Sequence, residues 1–170
     1  WATDIASAYH EAYTDEKVCI LAGPEFGELA GHRLIISRAL YGLRSSGQRW
    51  HQRFAACLRK EGFKPCRAEP DVWMRKNNNV YEYVAVYVDD LAFAVRDPKA
   101  FTKILETKYK FTVKGTGPLA YHLGADFGRD KDGTLYMAPN KYIDRMIANY
   151  EQLFGEKPRS CYTSPFEAND

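Results

Sequence analysis

The chain is poor in the residues that build metal and disulfide frameworks, with four cysteines and four histidines in 170 residues. Cys19, Cys57, Cys66 and Cys161 lie 38, 9 and 95 positions apart. That spacing fits no zinc motif and is sparse for a disulfide scaffold, so free thiols are expected. His10, His32, His51 and His122 are equally scattered, and surface or core roles are expected for them. No apolar run approaches the ~20 residues that cross a bilayer, so no membrane partner is expected. The opening Trp1-Ala2-Thr3-Asp4 has neither the basic nor the apolar region of a signal peptide and no initiator methionine, which reads as a piece of something longer. An excess of one charge is missing too, since 24 Lys+Arg against 22 Asp+Glu leave a net +2.

What is present is the composition of a folded domain, 45% hydrophobic and 14% aromatic. A chain of this length buries about 70% of its unfolded surface, enough for a core without staples. The small net charge conceals blocks. Residues 1–30 carry one Lys and six acids, 31–67 carry nine basic residues against Glu61 alone, and 68–98 carry three basic and six acidic residues. Five of the nine basic residues, Arg44, Arg49, Arg53, Arg59 and Lys60, precede or belong to one amphipathic segment. Such an array either solvates a helix face or binds phosphates.

Periodicity predicts a mixed order of strands and helices without repeats. Residues 18–22 and 34–40 read as strands around a Gly/Pro turn, and a helix runs from Ser45 or Ser46 as N-cap to Gly62 at its C-terminus, with Trp50, Phe54, Cys57 and Leu58 on one face. Residues 80–95 read as a β-hairpin with Asp89 and Asp90 at its tip. Asp97 and Pro98 start a second helix carrying Phe101, Ile104, Leu105 and Tyr109. Residues 123–127 and 134–137 read as a second hairpin around Asp132-Gly133, and residues 140–154 as a third helix stopped by Gly155. The expected layout is one domain over 1–155 and an extended or disordered tail over 156–170.

Asp89-Asp90 is the most pointed feature chemically. Adjacent carboxylates in an apolar hairpin repel, and a divalent cation would relieve them. On the dipeptide alone, a plain polar turn is the more common explanation. The flanks change the balance, because Tyr87-Val88-Asp89-Asp90-Leu91 resembles the YVDD motif of reverse transcriptases. Other segments resemble the copia-type (pseudovirus) retrotransposon enzymes in the same order. They are Asp4-Ile5-Ala6-Ser7-Ala8-Tyr9, Leu40-Tyr41-Gly42-Leu43-Arg44, the pair Asp71 and Trp73, Tyr121-His122-Leu123-Gly124-Ala125-Asp126, and Lys141-Tyr142-Ile143. One departure is Arg44-Ser45-Ser46-Gly47-Gln48 where the family usually reads K-Q-S-P-R; without the proline the helix start is less fixed.

The resemblance implies an α+β fold, a polymerase palm with a ferredoxin-like βαββαβ sheet, part of the fingers and the start of the thumb. It implies an RNA-directed DNA polymerase acting by two-metal nucleotidyl transfer, with Asp4, Asp89 and Asp90 as catalytic carboxylates. These residues and the Ile5 backbone carbonyl would bind two Mg²⁺, with Mn²⁺ as substitute. Tyr9, Tyr41, Gly42 and Arg44 would contact the nucleotide, Leu123 and Gly124 would grip the primer, and Lys114 is a candidate proton donor. The implied partners are an RNA template, a DNA primer–template duplex, dNTPs, and the integrase and RNase H regions of a polyprotein. The implied location is a cytoplasmic virus-like particle, with the nucleus as alternative. Missing N-terminal fingers would leave the isolated piece inactive. The competing reading is a catalytically silent, nucleic-acid-binding remnant of a decayed element.

Overall fold

The computed structural model describes residues 1–158 and divides the chain into two compact units, Trp1–Pro118 and Leu119–Asp170. The tail expected over 156–170 falls largely outside the described residues.

The first unit is built on a six-stranded sheet. In chain order its strands are β1 (Ala2–Ile5), β4 (Lys64–Pro65), β5 (Val72–Asn77), β6 (Val80–Tyr87), β7 (Asp90–Ala94) and β8 (Val113–Gly117). Their spatial order is β4-β5-β6-β7-β1-β8, and every pairing is antiparallel. A separate ribbon pairs β2 (Cys19–Leu21) with β3 (Arg33–Ile35), shorter than the runs 18–22 and 34–40 suggest. Helices α1 (Ser46–Lys60) and α2 (Pro98–Thr107) complete the unit.

Alternation along the strands sorts their residues. Ile5, Trp73, Val84, Leu91 and Phe93 join Trp50, Phe54, Cys57 and Leu58 of α1 and Phe101 and Leu105 of α2 in one buried cluster. Both helices therefore cover the same face. The other face carries Ala2, Asp4, Tyr83, Ala85, Tyr87, Asp90 and Ala92, none of them buried. Helix α2 starts as its sequence demands, with Asp97 Oδ1 accepting from the Ala100 N–H at 2.9 Å and Pro98 following the cap. Gly62 ends α1 with φ 84°, a left-handed value that favours glycine.

Two turns differ from the sequence expectation. The strand before residue 80 was not anticipated, because Asn78-Asn79 lacks the glycine of a strong hairpin signal; Asn78 takes φ 55° and closes a two-residue β5–β6 turn. The hairpin expected to carry Asp89-Asp90 at its tip instead turns through Val88-Asp89, and Asp90 is the first residue of β7, opposite Tyr87.

In the second unit, β10 (Ala125–Arg129) pairs with β9 (Tyr121–His122) and β11 (Leu135–Ala138), and helix α3 (Asn140–Phe154) follows. The start expected at residue 123 moves to 125 because Leu123 (φ 49°) and Gly124 (φ 85°) form the β9–β10 turn. Gly128 faces Tyr136 across β10–β11, and a Cβ there would lie 2.5 Å from the tyrosine hydroxyl oxygen. Gly128→Ala is expected to force the ring aside and cost the hairpin about 1 kcal/mol. Reduced amide protection confined to 121–138 in hydrogen exchange would show it; unchanged protection would refute the packing argument.

Candidate active site

Asp4 sits inside the sheet, in register with Asp90 of β7 on one side and Lys114 of β8 on the other. Burial raises the Asp4 pKa above its ordinary value, the charges of Asp89 and Asp90 raise it further, and the Lys114 ammonium acts the other way. Three carboxylates from two distant segments thus share a field that a single lysine opposes.

The turn that carries Asp89 is strained and held. Val88 has φ 54°, an outlier for a β-branched residue. Trp50 Nε1–H donates to the Val88 carbonyl at 2.6 Å, and the Ile5 N–H donates to the Asp89 carbonyl at 2.9 Å. Helix α1 and strand β1 therefore each tie one carbonyl of the turn, the kind of over-determination that lets strained backbone persist. The spacing of Trp50 shows only the buried face of α1, and its indole donor finds its acceptor through the fold.

Among the described residues, no three Asp, Glu, His or Cys side chains gather into a ready metal cage. The donor set still suits a hard divalent cation, since carboxylate oxygens completed by water are what Mg²⁺ takes. Repulsion among Asp4, Asp89 and Asp90 is what such a cation would relieve.

Tyr9 lies on a 3₁₀ turn, Ala8–Glu11, and its ring meets Tyr41 at 4.7 Å between centroids. Tyr41 is exposed and Gly42 takes φ 95°, so the loop before α1 bends sharply beside Tyr9. Arg44 is exposed on the same loop. The start of α1 is fixed without proline. Glu16 Oε1 accepts from the Ser45 N–H at 2.8 Å and from Ser45 Oγ at 2.6 Å, while buried Ser46 Oγ donates to the Leu40 carbonyl at 2.6 Å. The Ser45 side chain thus does not cap the helix itself. Its hydrogen bonds hold the Glu16 pKa below the usual carboxylate range, and an acid at this terminus complements the helix dipole.

Leu123 and Gly124 belong to the second unit, on its β9–β10 turn. Two further pairings were not foreseen from the sequence. His51 Nε2 lies 2.9 Å from Asp71 Oδ1, and Arg75 Nε donates to buried Glu82 at 2.6 Å. The cross-strand alternation of β5 and β6 places Glu82 opposite Arg75, a signal readable only once β5 is recognised.

An antiparallel sheet covered by helices on one face, with acidic residues of separate segments meeting on the other, is an architecture suited to phosphate chemistry. Residues 1–163 match the family described as reverse transcriptase (RNA-dependent DNA polymerase), and the chain belongs to that family. Its relatives are of the copia type. A transposon Ty5-1 protein of Saccharomyces cerevisiae is 24% identical over 174 residues, covering 95% of this chain and 56% of that protein. The retrovirus-related Pol polyprotein from transposon RE1 of Arabidopsis thaliana is 27% identical over 119 residues, or 69% of this chain and 8% of the polyprotein. The truncated transposon Ty1-A Gag-Pol polyprotein of S. cerevisiae is 33% identical over 109 residues, or 63% and 9%. The chain therefore spans about half of the first relative and under a tenth of the other two.

Proposed function

We propose that this chain is the palm of a retrotransposon RNA-directed DNA polymerase, which extends a DNA primer with dNTPs on an RNA or DNA template. The observation that carries the reading is the register of Asp4 with Asp90, with Asp89 beside them on a turn held by Trp50 and Ile5. The palm reading is supported by the order β1-α1-β6-β7-α2-β8 and the spatial order β6-β7-β1-β8, a ferredoxin-like βαββαβ pattern.

Asp4, Asp89 and Asp90, with the Ile5 carbonyl, would hold two Mg²⁺ or Mn²⁺; bound there, the metals supply charge neutralisation at the reacting phosphate. The remaining roles fall to the chain's own groups. The Tyr9 ring limits space at the sugar 2′ position, and Tyr41, Gly42 and Arg44 line the nucleotide's path. Lys114 brings an ammonium beside Asp4, where it can stabilise or protonate the leaving pyrophosphate. Leu123 and Gly124 hold the primer backbone. RNase H and integrase regions would act on the same nucleic acid.

Primer extension with dNTPs and Mg²⁺, by this chain and by a longer polymerase that includes it, tests the reading. Extension by the longer protein supports it, whereas cleavage of labelled nucleic acid without triphosphates would replace it with a nuclease. A silent binding remnant is the second reading, favoured by the absence of a gathered carboxylate cage among the described residues; binding without extension in both proteins would select it. Tyr9→Val is expected to raise ribonucleotide incorporation about tenfold or more, since the ring, tilted against Tyr41, would no longer crowd a 2′-hydroxyl. Unchanged sugar selectivity would leave Tyr9 as packing against Tyr41.

A further inference from the structure

The helix-covered side of the first unit, opposite the face that carries Asp4 and Asp90, is basic, and the proposed chemistry does not use it. Helix α1 contains no acid at all, and Glu106 is the one acid of α2. Glu61, just past α1, is taken up by Lys108 Nζ at 2.7 Å and by the Tyr109 hydroxyl at 2.6 Å, contacts that also bring the C-terminal ends of the two helices together. Arg53, Arg59, Lys60, Lys99, Lys103 and Lys110 are exposed, and none of them forms an ion pair among the described residues.

Helix stability does not account for this array. Arg59 and Lys60 stand in the last turn of α1, where cations complement the helix dipole. Lys99 stands in the first turn of α2, where the dipole favours an acid. Lys99 and Lys103 are also four residues apart, as are Arg49 and Arg53, and like charges at that spacing on a helix repel. An external anion would relieve them. Arg53 and Lys60 lie seven residues apart on one side of α1, separated by about 10 Å along its axis. The Arg53 guanidinium sits over the Phe111 ring at 5.4 Å, next in sequence to Lys110, so α1 and the segment after α2 border one surface.

The chemistry of this surface selects its partner. No large apolar side chain of α1 or α2 is exposed, so the face has nothing to insert into a bilayer and no Phe, Tyr or Trp on which bases would stack. Guanidinium and ammonium groups alone suit a phosphate backbone, which they bind by releasing counterions and without reading sequence.

We propose that the outer face of α1 and α2 is a second nucleic-acid surface, which binds phosphates without base contacts and is separate from the primer–template site around Asp4. The proposal takes its choice of polyanion from the polymerase reading and goes beyond it. Two sources share the chemistry, a distant stretch of the primer–template and a separate RNA strand.

The test uses the 170-residue chain, so catalysis is not required. Lysine acylation read by mass spectrometry should show Lys60, Lys103 and Lys110 protected severalfold by RNA at low salt, equally by uridine-only and mixed sequences, with the protection lost at high salt. Protection by short oligonucleotides, with two strands bound per chain, identifies a separate strand; protection that begins only with long primer–templates identifies the distant stretch. In equilibrium binding, the triple variant Arg53→Gln, Lys60→Gln, Lys103→Gln should bind single-stranded RNA on the order of tenfold more weakly at low salt, with a log–log salt slope smaller by about 2. Glutamine is a good helix former, so the variant should melt no earlier than the unsubstituted chain. A second triple variant, Lys17→Gln, Lys76→Gln, Lys131→Gln, removes the same charge elsewhere and should change the slope less. The proposal is overturned if Lys17 and Lys131 are protected as strongly as Lys60, Lys103 and Lys110, if the two triple variants bind alike, or if vesicles of anionic lipid protect the face and RNA does not. Primer extension by a longer polymerase without this protection would remove the inference alone; protection without extension in any longer protein would remove the polymerase reading alone.

Discussion

Asp89→Asn is expected to lower Mg²⁺-dependent primer extension on the order of a thousandfold, about 4 kcal/mol of transition-state stabilisation, while leaving the fold intact. The fold should survive because Asp89 is a turn residue whose backbone carbonyl, rather than its carboxylate, makes the bond to β1. Stability should even rise. Asp89 helps raise the Asp4 pKa, so its charge disfavours the ionised Asp4 of the folded state at neutral pH; removing it relieves that repulsion. That relief should read as a small upward shift of the melting temperature. Mg²⁺ should stabilise the unsubstituted chain thermally and the variant much less, because a ligand of the native state adds stability only where it binds. Calorimetry with Mg²⁺ and with a chelator reads this independently of catalysis. Normal extension by the variant, or an equal Mg²⁺ effect on both proteins, would remove Asp89 from the proposed metal site.

Helices α1 and α2 were legible because their signals are local: an apolar face at helical spacing, Asp97-Pro98 at one start and Gly62 at the other end. Strand β1 leaves no local signal. Four residues with no strong alternation become the partner of both β7 and β8 through contacts about ninety and a hundred and ten positions away, and no window of sequence reports such pairing. The carboxylate pair was found as a dipeptide, but its placement was off by one residue. A strand needs Asp90 to extend β7 opposite Tyr87, and Val88 enters the turn with a backbone conformation that propensity argues against. The helix start at Ser45 was legible, but the partner of its side chain was not, since Ser45 Oγ donates to Glu16, which a remote loop brings in, instead of capping the helix.

Glu82 carries the largest expected effect on stability, and no local pattern marks it. It is 2% exposed on the core face of β6, between residues that alternate outward as Tyr81 and Tyr83. Its carboxylate accepts from Arg75 Nε, Asn77 Nδ2 and the Arg96 N–H at 2.6, 3.0 and 2.8 Å. Arg75 in turn donates to the Glu61 carbonyl at 2.7 Å and stacks over Phe63. One buried acid thus ties β5, β6, the end of β7 and the end of α1. Burial alone would raise its pKa, but these hydrogen bonds and the Arg75 charge outweigh it and hold the value below 4.5. The stability linked to its ionisation is therefore complete above pH 4.5 and is lost as pH falls through the lower folded value. Glu82→Ala leaves a half-buried guanidinium, an amide and a backbone N–H without their acceptor, and is expected to cost about 3–5 kcal/mol. Arg75→Ala should cost less, since Glu82 keeps two donors. In urea unfolding, the double variant should lose less than the two single losses together, because the shared bond is removed only once. Additive losses, or a Glu82→Ala cost below about 1 kcal/mol, would mean that water replaces the network and that this end of the sheet is held by Trp73, Val84 and Phe93 alone.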